Sequence, residues 1–241
     1  MLDGAAMRLF VGPATHRGDL AKLAARFGMV EVRVEDAAPR AATLRAWRKS
    51  VGPQFVFSVV MPRIVGELAR GPEAEEALAR AVEVARLLEA RCLLLQTAPT
   101  VRPTTANRNR ITELVEKLPK LATTIAWEPS GLWEQEEIRA TARQAQVLPV
   151  LDAAQGELFP GSTVYTRIRA LGGAARLSDK AIEHVIRQLR GRREAFVVVD
   201  NPADASRVKT SLERAMTAAA AGGGVVVRPV PGRLRAEDEE Q

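Results

Sequence analysis

Charged and amide side chains stand at the ends of several short apolar segments of this sequence. Residues 124–127 lead directly into Glu128, which a helix-breaking Pro129 follows. Similar segments end at Gln96, Asp152, Arg167, Arg169 and Asp200. A charged group at the end of a buried segment is costly unless it is paired or has a function. Carboxylates and arginines gathered in one place could perform general acid–base chemistry on a polar or anionic substrate.

These side chains define a candidate site. We interpret Glu128 and Asp152 as candidate catalytic carboxylates. The candidate ligand-binding residues lie at or near strand ends: Arg63, Gln96, Tyr165, Arg167, Arg169, Asp200 and Asn201. The carboxylates and arginines among them could instead form ion pairs with one another, and Asp200-Asn201-Pro202 is also a turn and helix-start signal. We expect Glu128→Gln to weaken ligand binding without a large loss of stability.

The sequence predicts the direction in which two arginine side chains point. Arg167 and Arg169 alternate with Thr166 and Ile168, so both guanidinium groups should lie on the same side of a strand. An arginine buried at the end of a strand needs a carboxylate partner or an anionic ligand. The spacing therefore predicts ion pairs or an anion-binding site.

The residues that most often bind metals are scarce, and we expect no metal site and no cofactor. His16 follows the first predicted strand and is a candidate base or ligand, although an ordinary loop residue is the favoured interpretation. His184 should lie on the surface of a helix. A magnesium site made by Glu128, Asp152 and Asp200 stays open as an alternative without a supporting motif. The single cysteine, Cys92, should be a buried apolar residue.

Composition indicates a globular chain with a sizeable core. The 241 residues are 46% hydrophobic, which suits one α/β barrel or two small domains. The net charge of +6 comes from arginines spread along the chain, and aromatic residues are only 4%, so nucleic-acid binding is the less favoured reading. No apolar run approaches the roughly 18 residues of a membrane span. We expect a cytoplasmic protein with no membrane partner.

Strand-like and helix-like segments alternate, which is typical of a parallel α/β fold. The predicted strands are 8–11, 29–34, 55–60, 92–96, 123–127, 147–151, 163–168 and 195–199. The predicted helices are 19–27, 41–50, 72–89, 105–118, 134–146, 179–189 and 204–219. Eight strands predict a single (β/α)8 TIM-type barrel over residues 7–231, with an irregular crossover between the sixth and seventh strands. An open doubly wound sheet is the alternative. Residues 1–6 should be a disordered extension and 232–241 a solvated tail.

An ordered set of segments resembles a known family. VEVRVE, TLRAWRKSVGPQFVFSVVMPR, LLLQTAP, AWEPSGLW, VYTRIRALG and VVVDNPADA follow the order seen in the YecE-like family of unknown function. The resemblance implies a TIM-barrel-type fold and no particular activity. The matched positions are Pro62, Arg63, Gln96, Glu128, Tyr165, Arg167, Asp200 and Asn201. The chain departs from the pattern where Val60 replaces a lysine, Ser130 an arginine and Arg169-Ala170 a His-Gly pair, so it resembles a divergent member.

Three functional hypotheses follow. The first is a barrel whose carboxyl-terminal face holds a polar pocket for a small polar or anionic ligand, with a hydrolase-like reaction as the candidate activity. The second is a non-catalytic protein-interaction module with a degenerate site, which a large exposed apolar patch would favour. The third is nucleic-acid binding or processing, which a contiguous basic face would favour.

Overall fold

A computed structural model describes residues 7–16, 18–35, 39–119, 123–170 and 176–221, with side chains as far as residue 218. Eight parallel strands form one sheet in the order β1-β8-β7-β6-β5-β4-β3-β2. Their bounds are β1 (Arg8–Pro13), β2 (Met29–Arg33), β3 (Val56–Val60), β4 (Cys92–Gln96), β5 (Thr124–Glu128), β6 (Leu148–Leu151), β7 (Thr163–Ile168) and β8 (Glu194–Val199). The sheet curls into a nearly closed barrel, and the predicted fold is confirmed. The predictions for residues 1–6, 222–231 and 232–241 lie outside the described residues.

Eight helices occupy most of the connections and the segment after β8. Their bounds are α1 (Leu20–Ala24), α2 (Ala41–Ser50), α3 (Arg63–Gly66), α4 (Pro72–Leu87), α5 (Thr105–Glu116), α6 (Gln135–Ala145), α7 (Asp179–Leu189) and α8 (Pro202–Ala221). Residues 152–162, all of them described, contain no helix, which confirms the irregular crossover between β6 and β7. Among the described helices, none is both long enough and apolar enough to cross a membrane.

Local sequence explains where the helices begin. Helix α4 has Pro72 in its first turn, where the missing N–H costs nothing, and Glu73 and Glu75 favour the positive end of the helix dipole. Helix α1 is shorter than predicted, and Asp19 caps it by accepting a hydrogen bond from the Ala21 N–H at 2.8 Å. Helix α3 was not predicted, because four residues are too few to show a helical period.

Apolar side chains fill the lower part of the barrel. Alternate residues of the strands point inward, so Phe10 of β1, Met29 of β2 and Phe196 of β8 meet in one core cluster. The rings of Phe10 and Phe196 stack with centroids 5.4 Å apart. At the amino-terminal end, buried Glu194 accepts a hydrogen bond from Arg91 at 2.6 Å. The apolar cluster thus separates this charged pair from the carboxyl-terminal end of the barrel.

The barrel has one seam, between β1 and β2. Strand β1 forms a ladder with β8, and β2 forms one with β3, but no ladder joins β1 to β2. One backbone hydrogen bond crosses this boundary, from the Gly28 N–H to the Val11 oxygen at 3.0 Å. Gly12 packs so closely on β2 that a Cβ atom there would lie 1.9 Å from the Met29 oxygen. The strands therefore touch near Gly12 without continuing as a pair.

Candidate functional site at the barrel mouth

Arg167 is the centre of a charged network at the carboxyl-terminal mouth. Its Nη2 donates to both carboxylate oxygens of Glu31 at 2.6 Å, and its Nε donates to Glu128 Oε2 at 3.0 Å. Its Nη1 donates to Asp200 Oδ1 at 2.8 Å. Arg167 is 2% exposed, so this guanidinium is a buried cation held by three carboxylates.

Strand register brings these groups together. Gln96 and Glu128 are paired neighbours at the ends of β4 and β5. The Gln96 Nε2 donates to Glu128 Oε2 at 2.6 Å, and its Oε1 accepts from Arg33 Nη1 at 2.8 Å. Arg33 and Glu31 are alternate residues of β2, so both side chains leave the strand on the side of the barrel interior. The network thus extends across β2, β4, β5, β7 and the end of β8.

Arg169 forms the outer part of the network. Its guanidinium pairs with Glu128 Oε1 and lies 3.3 Å from Asp200 Oδ2. Its side chain is 45% exposed and that of Asp200 is 36% exposed, so both reach the solvent at the mouth. Arg167 and Arg169 lie on one side of the chain, because both contact Glu128. The two arginines differ in burial, and only Arg169 is accessible to a ligand.

A layer of buried hydroxyl groups lies beneath the charges. The Tyr165 hydroxyl donates to Glu31 Oε1 at 2.6 Å, and Ser58 Oγ lies 3.0 Å from the same hydroxyl. Complete burial raises the pKa of Tyr165 well above its ordinary value, and the charge of Glu31 raises it further. Tyr165 therefore stays protonated and serves as a hydrogen-bond donor to Glu31.

The two buried carboxyl groups differ in pKa. Burial raises the pKa of Glu128, but the charges of Arg167 and Arg169 outweigh burial, so its pKa lies below the ordinary value. Complete burial raises the pKa of Glu31, and the charge of Arg167 opposes that rise. The pKa of Arg167 is lowered by burial but raised more strongly by Glu31 and Glu128, with a net rise. Glu128 is thus held as a carboxylate by its two arginines.

The network has little room for a metal ion. Glu31, Glu128 and Asp200 converge on one point, but the Arg167 guanidinium occupies it. Within the part of the chain that the structure describes, no group of three or more His, Cys, Asp or Glu side chains could hold a metal ion. The cation of this site is part of the protein itself.

Three predicted site residues do not join the network around Arg167 and instead contact neighbouring side chains or backbone N–H groups. Arg63 is exposed and its Nε donates to Glu67 Oε1 at 2.7 Å. Asn201 begins helix α8, where its Oδ1 accepts from the Ala203 N–H at 3.1 Å. Asp152 accepts from the backbone N–H groups of Ala154 and Arg169 at 2.9 and 3.0 Å. Burial raises the pKa of Asp152, and these hydrogen bonds oppose the rise.

Sequence reasoning missed three members of the network. Glu31 and Ser58 lie inside β2 and β3, and Arg33 is the last residue of β2, one residue before the end predicted for that strand. The signal that could have found Glu31 and Arg33 is their alternation with Val30 and Val32, the same pattern that drew attention to the arginines of β7. Buried Ser58 carries no such signal, because a serine inside an apolar strand is common.

Comparisons with solved structures agree with this architecture. A DUF72 family protein from Enterococcus faecalis V583 superposes with a TM-score of 0.71 at 17% identity, covering 88% of this chain and 99% of the other. A DUF72 family protein from Thermotoga maritima MSB8 has a TM-score of 0.64 at 18% identity, covering 86% and 99%. A xylose isomerase domain containing protein from Salmonella typhimurium LT2 has a TM-score of 0.53 at 13% identity, covering 79% and 86%. These likenesses show the fold.

Sequence comparison identifies the family. No curated protein matches the chain. The family model described as "Protein of unknown function DUF72" matches residues 6–233, which is nearly the whole chain. The predicted membership of an uncharacterised family with a TIM-barrel-type fold is confirmed, and the chain belongs to the DUF72 family.

Proposed function

We propose that the protein binds a small anionic ligand at the mouth of its barrel, through Arg33 and Arg169. The observation that carries the proposal is that Arg33 has no described carboxylate partner. Its one polar contact among the described residues is the amide oxygen of Gln96, and no described carboxylate lies within ion-pair distance of it. A guanidinium has five N–H donors, and four of those on Arg33 have no acceptor among the described residues.

The rest of the network favours an anion rather than a cation at this place. Arg167 is neutralised by three carboxylates and is closed to solvent. Arg169 shares Glu128 and Asp200 with Arg167, so carboxylates balance the charges of both arginines, and the cation at the mouth without a described carboxylate partner is Arg33. A carboxylate or phosphate group that bridged Arg33 and Arg169 would form charge-assisted hydrogen bonds with both.

Binding is better supported than a hydrolase-like reaction. Glu128 is fixed by Arg167, Arg169 and Gln96, and its lowered pKa makes it a weak general base and a poor general acid. Asp152 has the raised pKa that suits acid–base catalysis, but backbone N–H groups already hold its carboxylate. The catalytic roles expected of these two residues remain predictions.

The interaction-module hypothesis has less support. It requires a large exposed apolar patch, yet in the described ranges Leu132 is the one large hydrophobic side chain that is strongly exposed, at 74%. Nucleic-acid binding gains no support from the mouth, since two of its three arginines are already paired with carboxylates. Both hypotheses therefore rank below anion binding.

The test is a calorimetric titration with inorganic phosphate and with acetate. Arg33→Gln should weaken binding about tenfold or more, because it removes charge-assisted hydrogen bonds to the anion. Arg86→Gln is the matched control, since Arg86 is exposed on α4 and pairs with Glu83. Equal affinities of Arg33→Gln and wild type would overturn the proposal, as would an equal loss in Arg86→Gln.

A further inference from the structure

A cavity of about 240 Å³ lies beside Arg33, where strand β2 faces β1. We call it the seam cavity. Most of its wall is apolar and comes from β2, helices α1 and α2 and the loop before α2: Leu20, Val32, Pro39 and Trp47, with the fully buried Val30 and Phe57 behind them. Its polar wall contains Arg33, Thr15 and His16, whereas the neighbouring Glu31 carboxylate is closed off from the cavity. The cavity therefore has an apolar part and a polar part, and the polar part shares Arg33 with the mouth.

The cavity lies on the side of β2 that faces β1. Val32 packs against the core between the barrel and its helices, whereas Arg33, the last residue of β2, donates to Gln96 at the barrel mouth. Ala14, Thr15 and His16, which follow β1, line the same cavity. The cavity therefore borders the edge of β2 that forms no ladder with β1, and its polar part lies next to the mouth.

Two polar atoms in the wall have no hydrogen-bond partner in the ranges that the structure describes. The Nδ1 atom of His16 is buried and has no hydrogen-bond partner among the described residues. Such atoms are rare in folded proteins and call for a ligand, a water or another specific reason. The indole N–H groups of Trp127 and Trp133 donate to Thr97 and Val101, whereas that of Trp47 has no partner in the described part of the chain.

We propose that the seam cavity holds the apolar body of the ligand whose anionic group binds Arg33. The ligand class is a small aromatic or branched-chain carboxylic acid with a polar substituent for His16. An apolar cavity of about 150 Å³ accommodates benzene, so about 240 Å³ suits one ring with a short side chain. This inference rests on the proposed function and adds the chemistry of the rest of the ligand.

The experiment compares three probes: phenylacetate, acetate and benzyl alcohol. Phenylacetate combines a ring with an anion, and each of the other two retains one of these features. We expect phenylacetate to bind about tenfold or more tightly than either of them, because burial of the ring adds apolar contact. In a ¹⁵N spectrum, phenylacetate should shift the indole signal of Trp47, assigned with Trp47→Phe, and acetate should leave it in place.

A cavity-filling variant tests the location. Val32→Phe should abolish the advantage of phenylacetate over acetate while acetate binding stays as in wild type. Val115→Phe, which enlarges another half-buried valine on α5, is the matched control and should keep the advantage. The Trp47 signal of the wild type tests the same point even if Val32→Phe fails to fold.

The outcomes separate the two proposals. Equal binding of phenylacetate and acetate, both weakened by Arg33→Gln, would overturn the seam cavity as a ligand site and leave the anion site standing. Equal binding of phenylacetate and benzyl alcohol would overturn the assignment of an acid. If neither anion binds and Arg33→Gln changes nothing, the proposed function fails and this inference fails with it.

Discussion

The guanidinium of Arg167 contacts both carboxylate oxygens of Glu31 at 2.6 Å, although 136 residues separate them in the sequence. Strand β7 thereby joins strand β2 across the inside of the barrel. The contact is fully buried, and Glu128 and Asp200 complete the shell around the same cation. The network therefore lies beneath the proposed ligand site and also links two walls of the barrel.

Removing the central cation should destabilise the protein strongly. Arg167→Met leaves Glu31 and Glu128 buried without their shared partner, and breaking a buried pair in this way typically costs about 3–5 kcal/mol. Arg167→Lys should lie between wild type and Arg167→Met, since lysine keeps the charge but cannot form the bidentate contact. Urea unfolding measures the free energies. Arg167→Met as stable as wild type would show that the network adds nothing to the stability of the fold.

Loss of the Glu128 carboxylate should change both stability and its pH dependence. The ion pairs revise the expectation from sequence, and we now expect Glu128→Gln to lose about 3 kcal/mol at pH 7. A carboxyl whose pKa is lowered by folding stabilises the native state above its ordinary pKa of 4.5, and that contribution is lost as the pH falls below this value.

The free energy of unfolding of the wild type should therefore fall more steeply below about pH 4.5 than that of Glu128→Gln. Glu31 and Asp152, whose pKa values are raised, act in the opposite direction in both proteins, and Glu128→Gln removes one of the smaller causes of the raised pKa of Glu31. Urea unfolding at several pH values between 3 and 7 measures the difference. Parallel curves for the two proteins would contradict the lowered pKa.

Gly66 supports the network from outside the barrel. A Cβ atom at Gly66 would lie 2.1 Å from the backbone oxygen of Gln96, so Gly66→Ala must displace the end of β4 or helix α3. Overpacking of this kind costs about 1–3 kcal/mol. Gly52→Ala is the control, because nothing lies within 4 Å of that added atom. We expect Gly66→Ala alone to lower both stability and phosphate affinity; equal behaviour of the two variants in calorimetry would contradict the close contact.

Cys92 should be unreactive in the native protein. It is fully buried inside the barrel, and burial raises the pKa of its thiol above the ordinary value, so the reactive thiolate is scarce. Labelling with a chromogenic disulfide reagent should be very slow in buffer and should accelerate as urea unfolds the protein. Rapid stoichiometric labelling in buffer would show that the barrel interior opens readily.

The sequence predicted the features that depend on a single strand, namely where the strand lies and which residue ends it. The alternation of strand and helix segments located all eight strands, and the bounds of β4 and β7 were predicted without error. Glu128 and Gln96 were found because polar groups at strand ends must meet at the mouth of a parallel barrel. Local pattern is sufficient for these features, since each depends on the direction and end of one strand.

Side-chain direction and long-range pairing were harder to predict. Arg63 follows β3 as closely as other candidates, but helix α3 places it on the outside, where it pairs with Glu67. Glu31 was overlooked because a carboxylate within an apolar strand resembles an exposed position of a half-buried strand. Its role depends on Arg167, and no local pattern reveals a partner so distant in the sequence.

The seam between β1 and β2 also determines how the barrel can assemble. Strand β1 has a ladder only with β8. The backbone of residues 8–13 therefore cannot be paired in the sheet until residues 194–199 are present. Contacts between segments so far apart are slow to form, because the entropy of closing the intervening chain opposes them. During synthesis, the earliest strand of the barrel emerges with no ladder partner until the latest one appears. The ladder between β1 and β8 can therefore form only after all eight strands have been made.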